Sequence, residues 1–175
     1  MSKMPKAHPL LVPAIAASQF APPFMISGVA VALPALGTDL AAGATALSLV
    51  ETVFLAAGVA LLLPAGRLGD ASDKAMLYKL GMVAFALSSL AVGLVSSMPA
   101  ILALRFVQGV ASAAVQAAGP AIIADAVPPE RRGRAYGITI GSIYAGLTLG
   151  PICAGFLVDL WGWRRSGREI GRAHV

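Results

Sequence analysis

Five long apolar segments dominate this sequence, and they constrain its fold more than any other feature. Each approaches the ~20 predominantly apolar residues that a transmembrane helix needs. The chain is 58% hydrophobic and only 12% charged, whereas about a quarter of the residues in soluble domains are charged. We therefore predict an all-α, polytopic transmembrane bundle, because helices satisfy their own backbone groups inside a bilayer. The predicted spans lie at about residues 10–36, 46–65, 77–95, 99–127 and 136–160.

Basic residues are concentrated in alternate connections between the spans, which indicates how the chain crosses the membrane. They precede the first span and follow the second and fourth, whereas the other two connections carry almost no charge. Because lysine and arginine stay on the cytoplasmic side, we expect a multi-pass protein of the cytoplasmic (inner) membrane with its N-terminus in the cytoplasm. The residues that carry this prediction are Lys3, Lys6, Arg67, Lys74, Lys79, Arg131, Arg132 and Arg134.

Composition and spacing also exclude several classes of protein. The net charge of +5 lies at the ends of apolar segments, without the basic helix and interleaved aromatic residues that bind nucleic acid. The single Cys153 excludes an internal disulfide. The sequence has no nucleophile–base pair, metal-ligand spacing or phosphate loop, so we predict neither an enzyme nor a cofactor. The partner that composition implies is the lipid bilayer.

The connection after the second span is a charged, glycine-rich segment from Gly66 to Lys79. Its glycines permit a tight turn, and Asp70 is placed to cap a short helix or to face the positive end of another. The alternative is an ordinary solvated loop whose basic residues only set the topology. Charge alone favours this alternative.

Polar residues recur on one face of the fourth span, at three- or four-residue spacing. They are Arg105, Gln108, Ser112, Gln116 and Gly119. Because an arginine and two glutamines are costly against lipid, we expect them to face the bundle interior or a wet cavity. The alternative, in which Arg105 snorkels to the outer interface, leaves the glutamines unexplained.

Two acidic residues are further candidates for function. Glu51 lies near the outer end of the second span, where an intramembrane carboxylate must be paired, hydrated or protonated. The alternative for Glu51 is simple solvation among the lipid headgroups. Asp125 ends the fourth span, and we expect it to pair with Arg134 or Lys74.

Glycine is unusually frequent in the fifth span, which indicates close packing against neighbouring helices. Gly137, Gly141 and Gly155 share one helical face, and Gly146 and Gly150 share the opposite face. We therefore expect a helix that is thin on both sides. The alternative is the generic small-residue packing that is common in membranes.

Four of these segments resemble motifs of the major facilitator superfamily of transporters. The signature loop between its helices two and three is matched at Gly66, Leu68, Gly69, Asp70 and Lys74, with Ala71 and Asp73 as departures. The helix-four motif R-x-x-q-G is similar to the stretch from Arg105 to Gly109. The segment between helices four and five resembles the stretch that contains Arg131, Gly133 and Arg134. The antiporter motif of helix five is similar to the run that contains Gly146, Gly150, Pro151 and Gly155.

The resemblance implies a partial N-terminal half of a major facilitator fold. Residues 1–163 would form helices one to five, and residues 164–175 would be a truncated or non-native tail. The implied function is secondary active transport by alternating access, and the helix-five motif favours proton-coupled efflux of small molecules or drugs. The implied partners are protons, a small-molecule substrate and the missing C-terminal half, so the fragment is not expected to transport alone.

The resemblance also implies roles for individual residues. Proton coupling or cavity lining is expected of Arg105, Gln108, Gln116 and Glu51. Glu51 is our preferred proton site, because Met25 stands where related antiporters carry an aspartate in helix one. The segment from Gly66 to Lys74 would form the cytoplasmic gate. Two alternatives stay open: a permease for sugars or organic anions, and a small non-transporting membrane subunit.

Overall fold

The computed structural model describes the backbone of residues 9–40 and 42–170. It describes the side chains of these residues as far as Phe156, except those of Ala35 and Asp39. Within these residues the chain forms helices and no strands, which confirms the predicted all-α bundle. Each helix contains a segment long and apolar enough to cross a membrane. The helices are α1 (Leu11–Asp39), α2 (Ala44–Ala71), α3 (Lys74–Val92), α4 (Met98–Ala126) and α5 (Pro129–Ile170).

The helices pack in two groups rather than in chain order. Helix α4 lies between α2 and α3 and contacts both extensively, while α1 packs mainly along α5. Only limited contacts join the α1–α5 pair to the α2–α4–α3 group. Phe54, Phe85 and Ala111 form a buried apolar cluster within the α2–α4–α3 group. A second cluster of Ile15, Ile123, Val127 and Ala135 joins α1 and α5 to the end of α4.

Glycines allow the closest helix crossings. Gly109 of α4 lies against the α2 backbone, where a Cβ atom would collide with the carbonyl oxygen of Phe54 and lie 2.8 Å from the Ala57 Cβ. Gly146 and Gly150 of α5 lie in the same way against the α1 backbone, near Phe20 and Phe24. Small residues permit such approach, which optimises van der Waals packing between helices in lipid.

Only one of the two glycine faces of α5 is packed among the described residues. A Cβ atom at Gly137, Gly141 or Gly155 would meet nothing within 4 Å. We predicted close packing on both glycine faces of α5. Among the described residues it occurs only on the Gly146 and Gly150 face.

The connection between α2 and α3 is shorter than we predicted. The segment from Gly66 to Asp70 is the last part of α2, so only Ser72 and Asp73 separate α2 from α3. Asp70 does not cap a helix. The cap of α3 is Asp73, whose Oδ1 accepts hydrogen bonds from the backbone amides of Ala75 (2.8 Å) and Met76 (3.3 Å). A short acidic side chain can accept hydrogen bonds from the unpaired amides at the start of a helix, whereas a glycine has no side chain to do so. This explains why the helix restarts at Asp73.

The start and end of α5 also differ from our expectation. The helix begins at Pro129, because proline is well suited to a first helical position. Arg131, Gly133 and Arg134 therefore belong to its first turns and not to a loop. The backbone of α5 continues through residues 164–170, and residues 171–175 of the predicted tail lie outside the described residues.

We predict that Gly109→Ala destabilises the bundle, because the added methyl group forces α2 away from α4. Overpacking of this kind costs about 1–3 kcal/mol in the free energy of unfolding. The matched control is Gly141→Ala, where the added Cβ atom meets nothing within 4 Å and helix propensity favours alanine by up to ~1 kcal/mol. Circular dichroism during denaturant unfolding in detergent measures both effects. Equal destabilisation by the two variants would contradict the prediction.

We predict that Asp73→Ala loosens the first turn of α3, with a loss of about 1 kcal/mol that is typical of a lost N-cap. Hydrogen exchange at the amides of Ala75 and Met76 reads this locally and should become faster. Asp73→Ser keeps a capping oxygen and should exchange nearly as slowly as the unaltered chain. If the serine variant exchanges as fast as the alanine variant, Asp73 does not act as a cap.

Candidate functional site

A chain of buried polar side chains runs between α4 and α3. The Arg105 side chain is only 2% exposed, and its Nη1 donates to Oε1 of Gln108 at 3.3 Å. Gln108 is fully buried, and its Nε2 donates to Oγ of Ser89 on α3 at 2.9 Å. The Ser89 hydroxyl in turn donates to the Phe85 carbonyl at 2.7 Å. The polar face of α4 thus points into the bundle at this level, and each member fixes the orientation of the next.

Arg105 is also held by an aromatic ring on α2. Its guanidinium carbon lies 5.7 Å from the centroid of the Phe54 ring, within the range of a cation–π interaction. A buried guanidinium is costly unless it is paired and hydrogen-bonded. The ring and Gln108 meet part of that requirement, but Nε of Arg105 is buried without a hydrogen-bond partner.

Glu51 of α2 faces the same small pocket as Arg105. Ile26, Phe54 and Leu55 complete the lining of that pocket. Oε1 of Glu51 and Nε of Arg105 are the two side-chain atoms of the described residues that are buried with no hydrogen-bond partner. Glu51 is half-buried, so an acid and a base with one unsatisfied buried atom each face one another across a largely apolar pocket, where charges interact more strongly than in bulk water.

The direction of the helices explains why these two residues meet. Glu51 lies seven residues after the start of α2, and Arg105 lies seven residues after the start of α4. The contact of Gly109 with Phe54, Ala57 and Gly58 further along both helices shows that α2 and α4 run parallel. At a rise of 1.5 Å per residue, both side chains lie about 10 Å inside the same end of the bundle.

The other predicted members of the α4 face divide into buried and exposed residues. Ser112 is buried and accepts a hydrogen bond from Nε2 of Gln116 at 2.8 Å. Gln116 itself is exposed on the surface of the five helices, so the structure does not bring it together with Arg105. Gly119 is buried, close to the Gln19 side chain of α1.

Sequence reasoning missed a second polar group, which joins α1 to α3 and α4. Ser18 and Gln19 are each 2% exposed. The Ser18 hydroxyl is hydrogen-bonded to the hydroxyl of Tyr78 on α3, and Nε2 of Gln19 donates to the Val115 carbonyl on α4 at 3.4 Å. The available signal was an adjacent polar pair inside the first apolar segment, because such residues must find partners in a membrane.

At the opposite end from Glu51, a lysine bridges three helices. Nζ of Lys74 lies 2.7 Å from Oδ2 of Asp125 on α4 and 3.8 Å from Oδ1 of Asp70 on α2. Of the two partners expected for Asp125, the structure therefore brings Lys74 to it and not Arg134. Both carboxylates are largely exposed, so the cluster links the helix ends through interactions that water weakens.

The helix-five residues serve different structural roles. Gly146 and Gly150 form the crossing with α1, and Oγ of Ser27 donates to the Gly146 carbonyl at 3.4 Å. Pro151 follows within the helix, and Gly155 has open space around it. Among the described residues no three His, Cys, Asp or Glu side chains lie close enough to hold a metal ion.

Comparisons with known proteins agree with this arrangement. The family model described as the Major Facilitator Superfamily matches residues 15–166. The chain is 34% identical, over 77% of its length, to the tetracenomycin C resistance and export protein of Streptomyces glaucescens and to the multidrug resistance protein Stp of Mycobacterium tuberculosis. It is 32% identical, over 90% of its length, to the MFS antiporter QDR3 of Candida albicans.

The chain spans about a quarter of the length of these relatives, with 25% of the first two and 22% of the third covered. The match nevertheless includes both buried polar groups and, apart from the first four residues of α1, all five apolar helices. The resemblance deduced from the short motifs is thereby confirmed: this multi-pass membrane chain belongs to the major facilitator superfamily.

Proposed function

We propose that this chain supplies the first five helices of a proton-coupled transporter that exports small molecules by alternating access. The proposal places it in the cytoplasmic (inner) membrane, with its N-terminus in the cytoplasm. Relatives named for resistance, export and antiport favour efflux over the uptake of sugars or organic anions. Residues 1–163 are proposed as this helical unit, and the remainder of the transporter would complete the substrate cavity.

The observation that carries the proposal is the pair of unsatisfied buried atoms on Glu51 and Arg105. Arg105 keeps its positive charge, so the Glu51 carboxyl is the group that can gain or lose a proton at this place. When Glu51 is ionised, it attracts Arg105 across the pocket. When Glu51 is protonated, that attraction disappears and the remaining contacts of Arg105 are with Gln108 and Phe54.

A change of one charge between two packed helices can bias a conformational equilibrium. A proton shifts the balance between outward-open and inward-open states by as much as its affinity for Glu51 differs between them. Gln108 and Ser89 extend the effect from α4 to α3. We assign Glu51 to proton binding, Arg105 and Gln108 to coupling, and Gln116 to the cavity surface.

The proposed gate lies at the other end of α2. Gly66, Leu68, Gly69 and Asp70 form the last part of that helix, and Lys74 ties it to Asp125. The exposed positions of both carboxylates suit a contact that opens and closes, because solvated ion pairs cost little to break. We assign the Gly146 and Gly150 crossing to the surface on which α5 moves against α1, with Pro151 at its end.

We predict that Glu51→Gln abolishes coupling to protons and leaves the fold intact, because glutamine keeps the size of the side chain and cannot ionise. In liposomes holding the complete transporter that contains this chain, substrate-driven proton movement should fall at least tenfold. The control is Asp73→Asn, which removes an exposed carboxylate and keeps a capping oxygen. Normal proton coupling in the Glu51→Gln transporter would refute the assignment.

The same assignment can be checked on the 175-residue chain without transport. Infrared difference spectra recorded between high and low pH should contain the carbonyl band of a protonated carboxyl group in a nonpolar site. Glu51→Gln should remove that band, and Asp73→Asn should leave it in place. Persistence of the band in the Glu51→Gln chain would assign it to a different acid.

We predict that the 175-residue chain expressed alone does not export substrate, because the substrate sites of such transporters lie between two pseudo-symmetric halves. Dye-loaded cells that express it should lose dye at the rate of cells carrying an empty vector. Efflux above that rate, abolished by Glu51→Gln, would show that five helices suffice.

A further inference from the structure

A groove of about 830 Å³ opens where the start of α1, the end of α4 and the start of α5 meet. Its walls are apolar at Val12, Val127 and Ile138, and its rim carries Glu130, Arg131 and Arg134. We call this feature the α1/α5 groove. It is separate from the Glu51 and Arg105 pocket, and the proposed transport mechanism does not use it.

The two rim arginines are free to bind a ligand. Arg131 and Arg134 are exposed, and they form no ion pair with any residue that the structure describes. They lie three residues apart on α5, which places them on neighbouring parts of one helical face. Glu130 offsets one of their charges, so the rim carries a net positive charge. Arg132 is engaged elsewhere, since its Nε donates to the Val127 carbonyl at 2.9 Å.

The length of α5 places this rim at the level of the lipid headgroups. Its apolar part, Pro129–Phe156, has 28 residues and is about 42 Å long at 1.5 Å per residue. The hydrocarbon core of a bilayer is only about 30 Å thick. Because Glu130, Arg131 and Arg134 lie in the first turns of α5, this end is the one that projects into the headgroup layer, while Ile138 lies two turns deeper, toward the acyl chains.

The groove also faces the side of the membrane on which anionic lipids are found. The connection between α2 and α3, the end of α4 and the start of α5 all lie at the basic end of the bundle. By the rule that basic residues stay inside, this end faces the cytoplasmic leaflet, whose surface is negative. Basic pockets between transmembrane helices on that side suit phosphorylated lipid headgroups.

We propose that the α1/α5 groove binds one anionic phospholipid of the cytoplasmic leaflet. Its phosphate lies between Arg131 and Arg134, whose planar guanidinium groups bind phosphate through paired hydrogen bonds. The upper part of its acyl chains lies along Val12, Val127 and Ile138. The lipid thereby adds to the contact that Ile15, Ile123, Val127 and Ala135 already make between the α1–α5 pair and the end of α4.

Native mass spectrometry of the detergent-purified chain tests the proposal with defined lipids. We expect phosphatidylglycerol to bind at least tenfold more tightly than phosphatidylcholine. The double variant Arg131→Gln/Arg134→Gln should weaken phosphatidylglycerol binding about fivefold per arginine, which is the attraction expected of each basic residue near an anionic surface. Arg131→Lys/Arg134→Lys keeps both charges and should restore most of the binding.

The matched control is Arg67→Gln/Lys79→Gln. It removes the same charge from exposed residues at the same end of the bundle, and neither residue lines the groove. We expect the control to change phosphatidylglycerol binding by less than twofold. If the double glutamine variant loses its helical circular dichroism signal, the single variants Arg131→Gln and Arg134→Gln are compared with single control variants instead.

Four outcomes would overturn the proposal. Equal loss of binding in the groove and control variants would show that general surface charge attracts the lipid. Equal binding of phosphatidylcholine would remove the role of the anionic headgroup. Displacement of the lipid by equimolar glycerol phosphate would indicate a site for a soluble phosphate. Loss of chain dimers in the groove variants, with unchanged lipid binding, would assign the groove to a second copy of the chain.

Discussion

The close approach of α2 and α4 at Gly109 is the contact on which the rest of the structure depends. Without a Cβ atom there, the α4 backbone rests directly on the carbonyl oxygen of Phe54. The two helices run parallel, so the turns next to this contact also face one another. That places Arg105 beside the Phe54 ring and across a small pocket from Glu51. One absent side chain thus determines which charged groups meet inside the membrane.

Glycines also allow α1 and α5 to approach closely, at Gly146 and Gly150, but in the part of the chain that the structure describes this crossing does not bring charged groups together. Among the described residues, the side-chain hydrogen bond at that crossing is the weak one from Ser27 to the Gly146 carbonyl. The two helical groups are linked by few contacts, which include the apolar cluster of Ile15, Ile123, Val127 and Ala135 and the polar contacts of Ser18 and Gln19. Extensive contacts within each group and sparse contacts between the groups suit a protein whose proposed cycle moves helices against one another.

The predictions from sequence succeeded where a residue's environment depends on its own helix. Five apolar segments specified five membrane helices, because bilayer thickness sets a minimum length of apolar helix. The spacing of Arg105, Gln108 and Ser112 placed them on one buried face, because helical periodicity is local. The prediction of loops at residues 66–70 and 129–134 was wrong, because both segments are helical. Charged residues near the membrane surface can belong to the helix ends, so the connections are shorter than the charge pattern suggests.

The sequence by itself determined the number of helices, the basic end of the bundle and the family, since length, charge and short motifs are properties of the linear chain. Only the tertiary structure decided that Glu51 faces Arg105, that Lys74 rather than Arg134 meets Asp125, and that Ser18 reaches Tyr78. These pairs join different helices. Their geometry depends on crossing points and relative depth, which are set by packing between helices and not by any one segment.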